Sequence, residues 1–270
     1  MDFVEHVSTK KGYSVEDHRF ISILSSKIVK RNDGHYEMPL PMCRDEVRFP
    51  NNRLAAVRRA LQLKRKFKRN STFKEHYIAF MNGILAGYAE KVPESEYGIT
   101  NGSVNYIPHS GVYHPKKTNQ IRVVFDCSAK YEGVCLNDYL LQGPDLMNGL
   151  IGILCRFRKE EVAIMADIKG MFHQFYVTPK DRDKLRFLWW DGSDFEQKMV
   201  EYRMKVHLFG AKSSPGCANF GLKRAADDGE GKFGEIAANF IRDDFYVDDG
   251  LKSLPTIQQA IELVKSSTEL

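Results

Sequence analysis

Phe245-Tyr246-Val247-Asp248-Asp249-Gly250 is the stretch that decides how this chain is read. An apolar-aromatic run ends on two adjacent aspartates with a glycine behind them, the pattern of a strand entering a tight turn. Neighbouring side chains along a strand point to opposite faces, so only a turn lets two adjacent carboxylates converge. Converging carboxylates repel, and a divalent cation relieves the repulsion. Gly250 within such a strand weakens it.

A second apolar run lies upstream. Val162-Ala163-Ile164-Met165-Ala166 has the composition of a buried strand, and it ends on Asp167, 81 positions before Asp248 (248 − 167). A sheet holding the two strand ends side by side gathers three carboxylates in one concave site. Such a set can hold two Mg²⁺ ions roughly 3.5–4 Å apart, the arrangement for in-line phosphoryl displacement.

Outward from these strands, the pattern mixes helices with short strands and gives an α+β class. Helices are expected over 15–30, with Ser14 as cap, and over 53–69, with Ala56, Ala60, Leu63 and Phe67 on one face. A third opens at the capping box Thr72-x-x-Glu75 and carries Phe73, Tyr77, Met81, Ile84 and Tyr88. Residues 36–41 are extended. Strands at 111–114 and 121–125 flank a polar basic loop at 115–120. A helix is expected at 145–157, short helices near 170–175 and 180–185, a hairpin from 186–190 and 199–208, and a helix opened by Pro215.

Of 270 residues, 43% are apolar and 28% charged, the balance of an ordinary globular chain. No apolar run is long enough to span a membrane, and no secretory signal opens the sequence. Five scattered cysteines with no C-x-x-C spacing argue against a zinc site or a disulfide framework and point to a reducing compartment. The net charge of +5 is concentrated in Arg58, Arg59, Lys64, Arg65, Lys66, Lys68 and Arg69, an acid-free run. It reads either as a solvated helix face or as a surface following a nucleic-acid backbone.

Three segments together resemble reverse transcriptases. Met165-Ala166-Asp167-Ile168-Lys169-Gly170-Met171-Phe172 resembles the first carboxylate motif, Phe209-Gly210-Ala211-Lys212-Ser213-Ser214-Pro215 the template grip, and Tyr246-Val247-Asp248-Asp249 the Y-x-D-D turn. Asn51-Asn52-Arg53, Ile107-Pro108-His109, Arg122-Val123-Val124-Phe125-Asp126, Leu136-Asn137-Asp138, Met171-Phe172-His173-Gln174 and Leu185-Arg186-Phe187-Leu188-Trp189 make the polymerase region of BEL/Pao-type LTR retrotransposons the nearest match, over about residues 35–270.

The resemblance implies the fingers and palm of a right-hand polymerase, with an antiparallel palm sheet, packed helices and no thumb. It divides the chain into an extension at 1–45, fingers at 46–142 and 176–211, and palm at 143–175 and 212–270. It implies RNA-directed DNA polymerase (nucleotidyltransferase) activity with two Mg²⁺, for which Mn²⁺ can substitute. Asp167, Asp248 and Asp249 would be metal ligands, helped by the Ile168 carbonyl. Phe172 falls at the steric-gate position that favours deoxynucleotides. Arg122 with Lys116 or Lys117 would clasp the triphosphate, and Phe209 and Gly210 would meet template and nascent pair. Retroviral enzymes carry glutamine at the position of Phe209 and a further acid at that of Gly170.

The implied partners are an RNA or DNA template with primer, dNTPs, and the protease, RNase H and integrase of an intact polyprotein. The implied setting is the cytoplasm or a virus-like particle, with no membrane contact. The chain ends at Leu270 in a helix beginning near Thr256, and no Asp-Ser/Thr-Gly triplet occurs. A catalytically silent nucleic-acid-binding remnant is therefore the alternative. An RNA-dependent RNA polymerase fits less well, because those enzymes usually carry glycine before the paired aspartates.

Overall fold

The structure is a computed structural model describing residues 12–114 and 117–269. In chain order its elements are α1 (Val15–Lys27), β1 (Val29–Lys30), β2 (Tyr36–Met38), α2 (Arg53–Arg69), α3 (Ser71–Gly87), β3 (Ala89–Lys91), β4 (His109–His114), β5 (Lys117–Phe125), α4 (Leu150–Phe157), β6 (Val162–Asp167), β7 (Phe175–Val177), β8 (Arg186–Trp190), β9 (Met199–Met204), α5 (Ser214–Phe233), α6 (Glu235–Asp243), β10 (Phe245–Tyr246), β11 (Asp249–Leu254) and α7 (Ile257–Glu269). This is a mixed α+β architecture. The strands form three small sheets, ordered β1-β2-β7, β3-β9-β8 and β10-β11-β6, and the hairpin β4-β5. Of these pairings only β2 with β7 is parallel.

The first core lies where α2 and α3 cover the β3-β9-β8 sheet and the β4-β5 hairpin. Ala56, Ala60, Leu63 and Phe67 are the buried face of α2, at the i, i+4, i+7, i+11 spacing that puts side chains on one stripe. Tyr77 stacks on Trp189 with ring centroids 5.7 Å apart. His109, buried beside them, faces the Tyr77 hydroxyl through Nδ1 at 2.5 Å and the Leu188 carbonyl through Nε2 at 3.1 Å. Burial draws its pKa down to about 4.

An ionic knot ties this core together. The Glu201 side chain is fully buried and accepts from Arg53 Nε (2.7 Å), Tyr106 OH (2.7 Å) and Arg186 Nη1 (3.0 Å). Arg186, equally buried, also donates from Nε to Asp183 at 2.9 Å. Asn52 reaches Asn105 and the Tyr106 backbone instead of capping α2.

The second core lies beneath the β10-β11-β6 sheet, where α5, α6 and α7 bury Ala226, Ala238, Phe240, Leu254 and Leu263. The small residues of α5 have a packing reason. A Cβ on Gly216 would lie 2.9 Å from Phe20 of α1, and one on Gly221 only 2.2 Å from Phe175.

Several local expectations need correction. Asn70 caps α3 by accepting from Phe73 N at 2.8 Å, so the helix starts at Ser71 and Thr72 is already inside it. Strand β5 begins at Lys117, which leaves little of the loop expected at 115–120, and Lys116 lies outside the described residues. Residues 145–149 are irregular and α4 starts only at Leu150. Strand β9 ends at Met204 rather than 208. Most consequentially, β6 is not buried: Met165 is 75% exposed. Among the described residues β6 pairs with β11 alone and packs one face, Val162 and Ile164, on the helices below. Apolar composition predicted two covered faces; one is covered. No helix among the described residues is long and apolar enough to cross a membrane.

Candidate functional site

Strands β6 and β11 run antiparallel with Asp167 directly opposite Asp249. Opposed residues in such a pair project to the same face, with Cβ atoms about 4.5–5.5 Å apart. The register pairs Tyr246 with Asp249, so Val247-Asp248 is a two-residue hairpin loop. Its Asp248 carbonyl accepts from Ile168 N at 2.9 Å, which stitches the turn to the end of β6. Asp167 and Asp249 thus face each other at one sheet end, both exposed, with the half-buried Asp248 in the adjoining loop.

The turn is strained. Val247 has φ 58°, the left-handed region that β-branched residues rarely enter, at a position where hairpins usually place glycine. Such a residue costs on the order of 1–3 kcal/mol and persists only where its surroundings enforce it. Here they do. Asn148 Nδ2 donates to the carbonyls of Arg242 (2.8 Å) and Phe245 (3.0 Å). Buried Asp244, one residue before β10, is gripped by Arg156 at 2.8 Å and Lys252 at 2.5 Å. A Cβ on Gly250 would lie 2.6 Å from the Phe245 ring and 2.9 Å from that of Phe240. The glycine expected to weaken the strand is what lets two rings pack beneath the turn.

Among the described residues no group of three or more His, Cys, Asp or Glu side chains is placed to hold a metal ion. Asp167 and Asp249 are exposed on one face of the strand pair, and carboxylates are the ligands a hard cation takes. Magnesium keeps several waters and takes substrate phosphates, so it needs only one or two protein carboxylates.

Beyond β6, Gly170 (φ 60°) starts a short 3₁₀ turn, Met171–Gln174. It carries Phe172, whose ring centroid lies 4.4 Å from that of Phe209. The structure therefore brings together two aromatic residues that are 37 positions apart (209 − 172). Gly210 follows at φ 107°, and a Cβ there would sit 2.5 Å from the Phe125 carbonyl oxygen. Asn137, to which the sequence assigned no role, clamps this loop: Nδ2 donates to the Gly210 carbonyl (3.0 Å) and Ser128 Oγ (2.9 Å), and Oδ1 accepts from Lys212 N (2.8 Å). Only its place in a family-like triplet marked it.

Arg122 sits on the exposed face of β5 opposite Val112. The backbone of Lys117 pairs with His114 at the hairpin end. Among the described residues no hydrogen bond joins Arg122 to the carboxylates; the hairpin reaches the site at its base, where Phe125 meets Gly210. Part of the basic run has internal partners: Arg59 pairs with Asp126 (3.6 Å), Lys64 with Glu196 (3.4 Å), and Lys66 lies 3.9 Å over the Phe73 ring. Arg58, Arg65, Lys68 and Arg69 are exposed.

The sequence matches no model of a known protein family and no curated protein. The structure is similar to solved reverse transcriptase structures. The foamy viral protease-reverse transcriptase in complex with dsDNA aligns with TM-score 0.51 and 18% identity, covering 74% of this chain and 36% of that one. The same protein in complex with an RNA/DNA hybrid aligns with TM-score 0.50 and 18% identity, covering 74% of this chain and 22% of that one. The fold is thus of reverse transcriptase type, and the aligned region spans only 22% and 36% of the length of these two viral chains.

Proposed function

We propose that this chain is the fingers and palm of an RNA-directed DNA polymerase from a BEL/Pao-type LTR retrotransposon, extending a primer on an RNA or DNA template with dNTPs. The observation that carries the reading is the opposition of Asp167 and Asp249 across one strand pair, with Asp248 in the turn between β10 and β11. The reverse transcriptase fold supports it. In this reading residues 46–142 and 176–211 are fingers, 143–175 and 212–270 palm.

Asp167, Asp248 and Asp249, with the Ile168 carbonyl, would hold two magnesium ions. When bound, the ions lower the pKa of the primer 3′-hydroxyl and stabilise charge on the leaving pyrophosphate. The chain supplies the rest by positioning. Phe172 crowds the sugar C2′ position and excludes a hydroxyl. Arg122, with Lys116 or Lys117, neutralises the triphosphate, the guanidinium bonding two oxygens at once. Gly210, held by Asn137, lets template and nascent pair approach the backbone closely. The exposed cations of α2 follow phosphates, so affinity for primer-template falls steeply with salt.

Primer extension on an RNA template with Mg²⁺, wild type against Asp248→Asn, tests the reading. Extension by wild type and its loss in the variant is the expected result; equal extension by both proteins rejects the assignment.

A further inference from the structure

Four aromatic rings run in sequence from the end of α3 to the rim of the carboxylate site. Tyr88 lies 4.7 Å from His173, His173 lies 5.6 Å from Phe209 with its plane nearly perpendicular (88°), and Phe209 lies 4.4 Å from Phe172. Both ends of the series are fixed through backbone. Tyr88 is the C-cap of α3, and its carbonyl accepts from Lys205 N at 2.8 Å. His173 N donates to the Gly170 carbonyl at 2.7 Å, holding the turn that bears Phe172. Phe209 precedes the residue that Asn137 clamps.

A ring that excludes a hydroxyl must not yield. Phe172 is only half-buried, and Phe209 is 49% exposed. An isolated aromatic side chain there could turn to another staggered rotamer and admit the larger sugar. Phe209 stands against Phe172, the edge of His173 stands against Phe209, and Tyr88 stands behind His173. Edge-to-face and offset contacts at these separations are the attractive geometries for rings. Burial draws the pKa of His173 down to about 4, so its ring is neutral under ordinary conditions.

We propose that Tyr88 and His173 are positioning residues for sugar selection, acting through Phe209 to keep the Phe172 ring against the C2′ position of the incoming nucleotide. The inference rests on the polymerase reading above. It adds that selection depends on Tyr88, 79 positions before Asp167 (167 − 88), and on His173, six positions after it (173 − 167).

The test is single-nucleotide primer extension by this chain, comparing incorporation efficiency for a dNTP and the matching rNTP. Steric discrimination by one small group is worth about 10–200-fold. Phe172→Ala should remove most of it. His173→Ala and Tyr88→Leu should each lower the dNTP/rNTP ratio about tenfold, mainly through faster rNTP incorporation. His173→Phe, which keeps a ring, should restore it. A purely structural contribution lowers both efficiencies together and leaves the ratio at the wild-type value. That result in His173→Ala and Tyr88→Leu, alongside a reduced ratio in Phe172→Ala, overturns the inference and leaves the polymerase reading standing. If either variant fails to fold by circular dichroism, the other decides. Absence of extension by the wild type with either nucleotide overturns both.

Discussion

Two acidic centres in this chain share a residue type and little else. At the knot around Glu201, every oxygen of a fully buried carboxylate has a partner. At the end of the β10-β11-β6 sheet, Asp167 and Asp249 stay exposed, and the turn beside them is strained at Val247. The cations near that turn, Arg156 and Lys252, hold Asp244 instead. The knot binds elements together. The sheet end keeps charge available, at a conformational cost that its surroundings absorb.

The sharpest contrast comes from removing one charge at each place. Asp248→Asn should lower polymerisation about a thousandfold, the loss of several kcal/mol of metal-borne charge stabilisation, while the melting temperature barely moves. Glu201→Ala should do the reverse. Leaving Arg186 buried without the Glu201 carboxylate costs about 3–5 kcal/mol, read as a lower urea midpoint. A melting shift in Asp248→Asn as large as that in Glu201→Ala would erase the distinction.

Acid probes the first core by another route. The folded pKa of His109 is about 4, against 6.5 when unperturbed. The folded state therefore favours the neutral ring, and its stability is complete above pH 6.5. It declines as pH falls from 6.5 towards 4, because only the unfolded chain gains the proton; the full loss is about 3 kcal/mol. Denaturant titrations between pH 7 and 4 should show it, and His109→Gln should flatten the slope. The smallest expected effect is at the turn. Gly250→Ala forces a methyl onto the Phe245 and Phe240 rings and should cost about 1–3 kcal/mol by thermal melting, with reduced extension because the hairpin shifts.

How much of this was legible in the sequence varied with length and period. Helix α2 begins and ends where its pattern says, with the predicted four residues buried, because seventeen residues sample the helical period several times. The strand end at Asp167 and the strand beginning at Asp249 were legible, but their pairing is a register, a long-range property no local pattern contains. Asn70 and Thr72 offer similar capping chemistry two positions apart, and it is the Asn70 side chain that accepts from Phe73 N. Strands β1, β3 and β7 are too short to show a period. The clamp by Asn137 and the need for glycine at 250 depend on neighbours distant in sequence, and so does the exposure of β6.

That exposure has a practical consequence. Among the described residues the outer border of β6 is unpaired, and such a border with an apolar residue like Met165 beside it is a template for edge-to-edge association between molecules. In concentrated preparations this margin is where separate copies would adhere, and dilution, or a lysine introduced beside it, would be the means of keeping them apart.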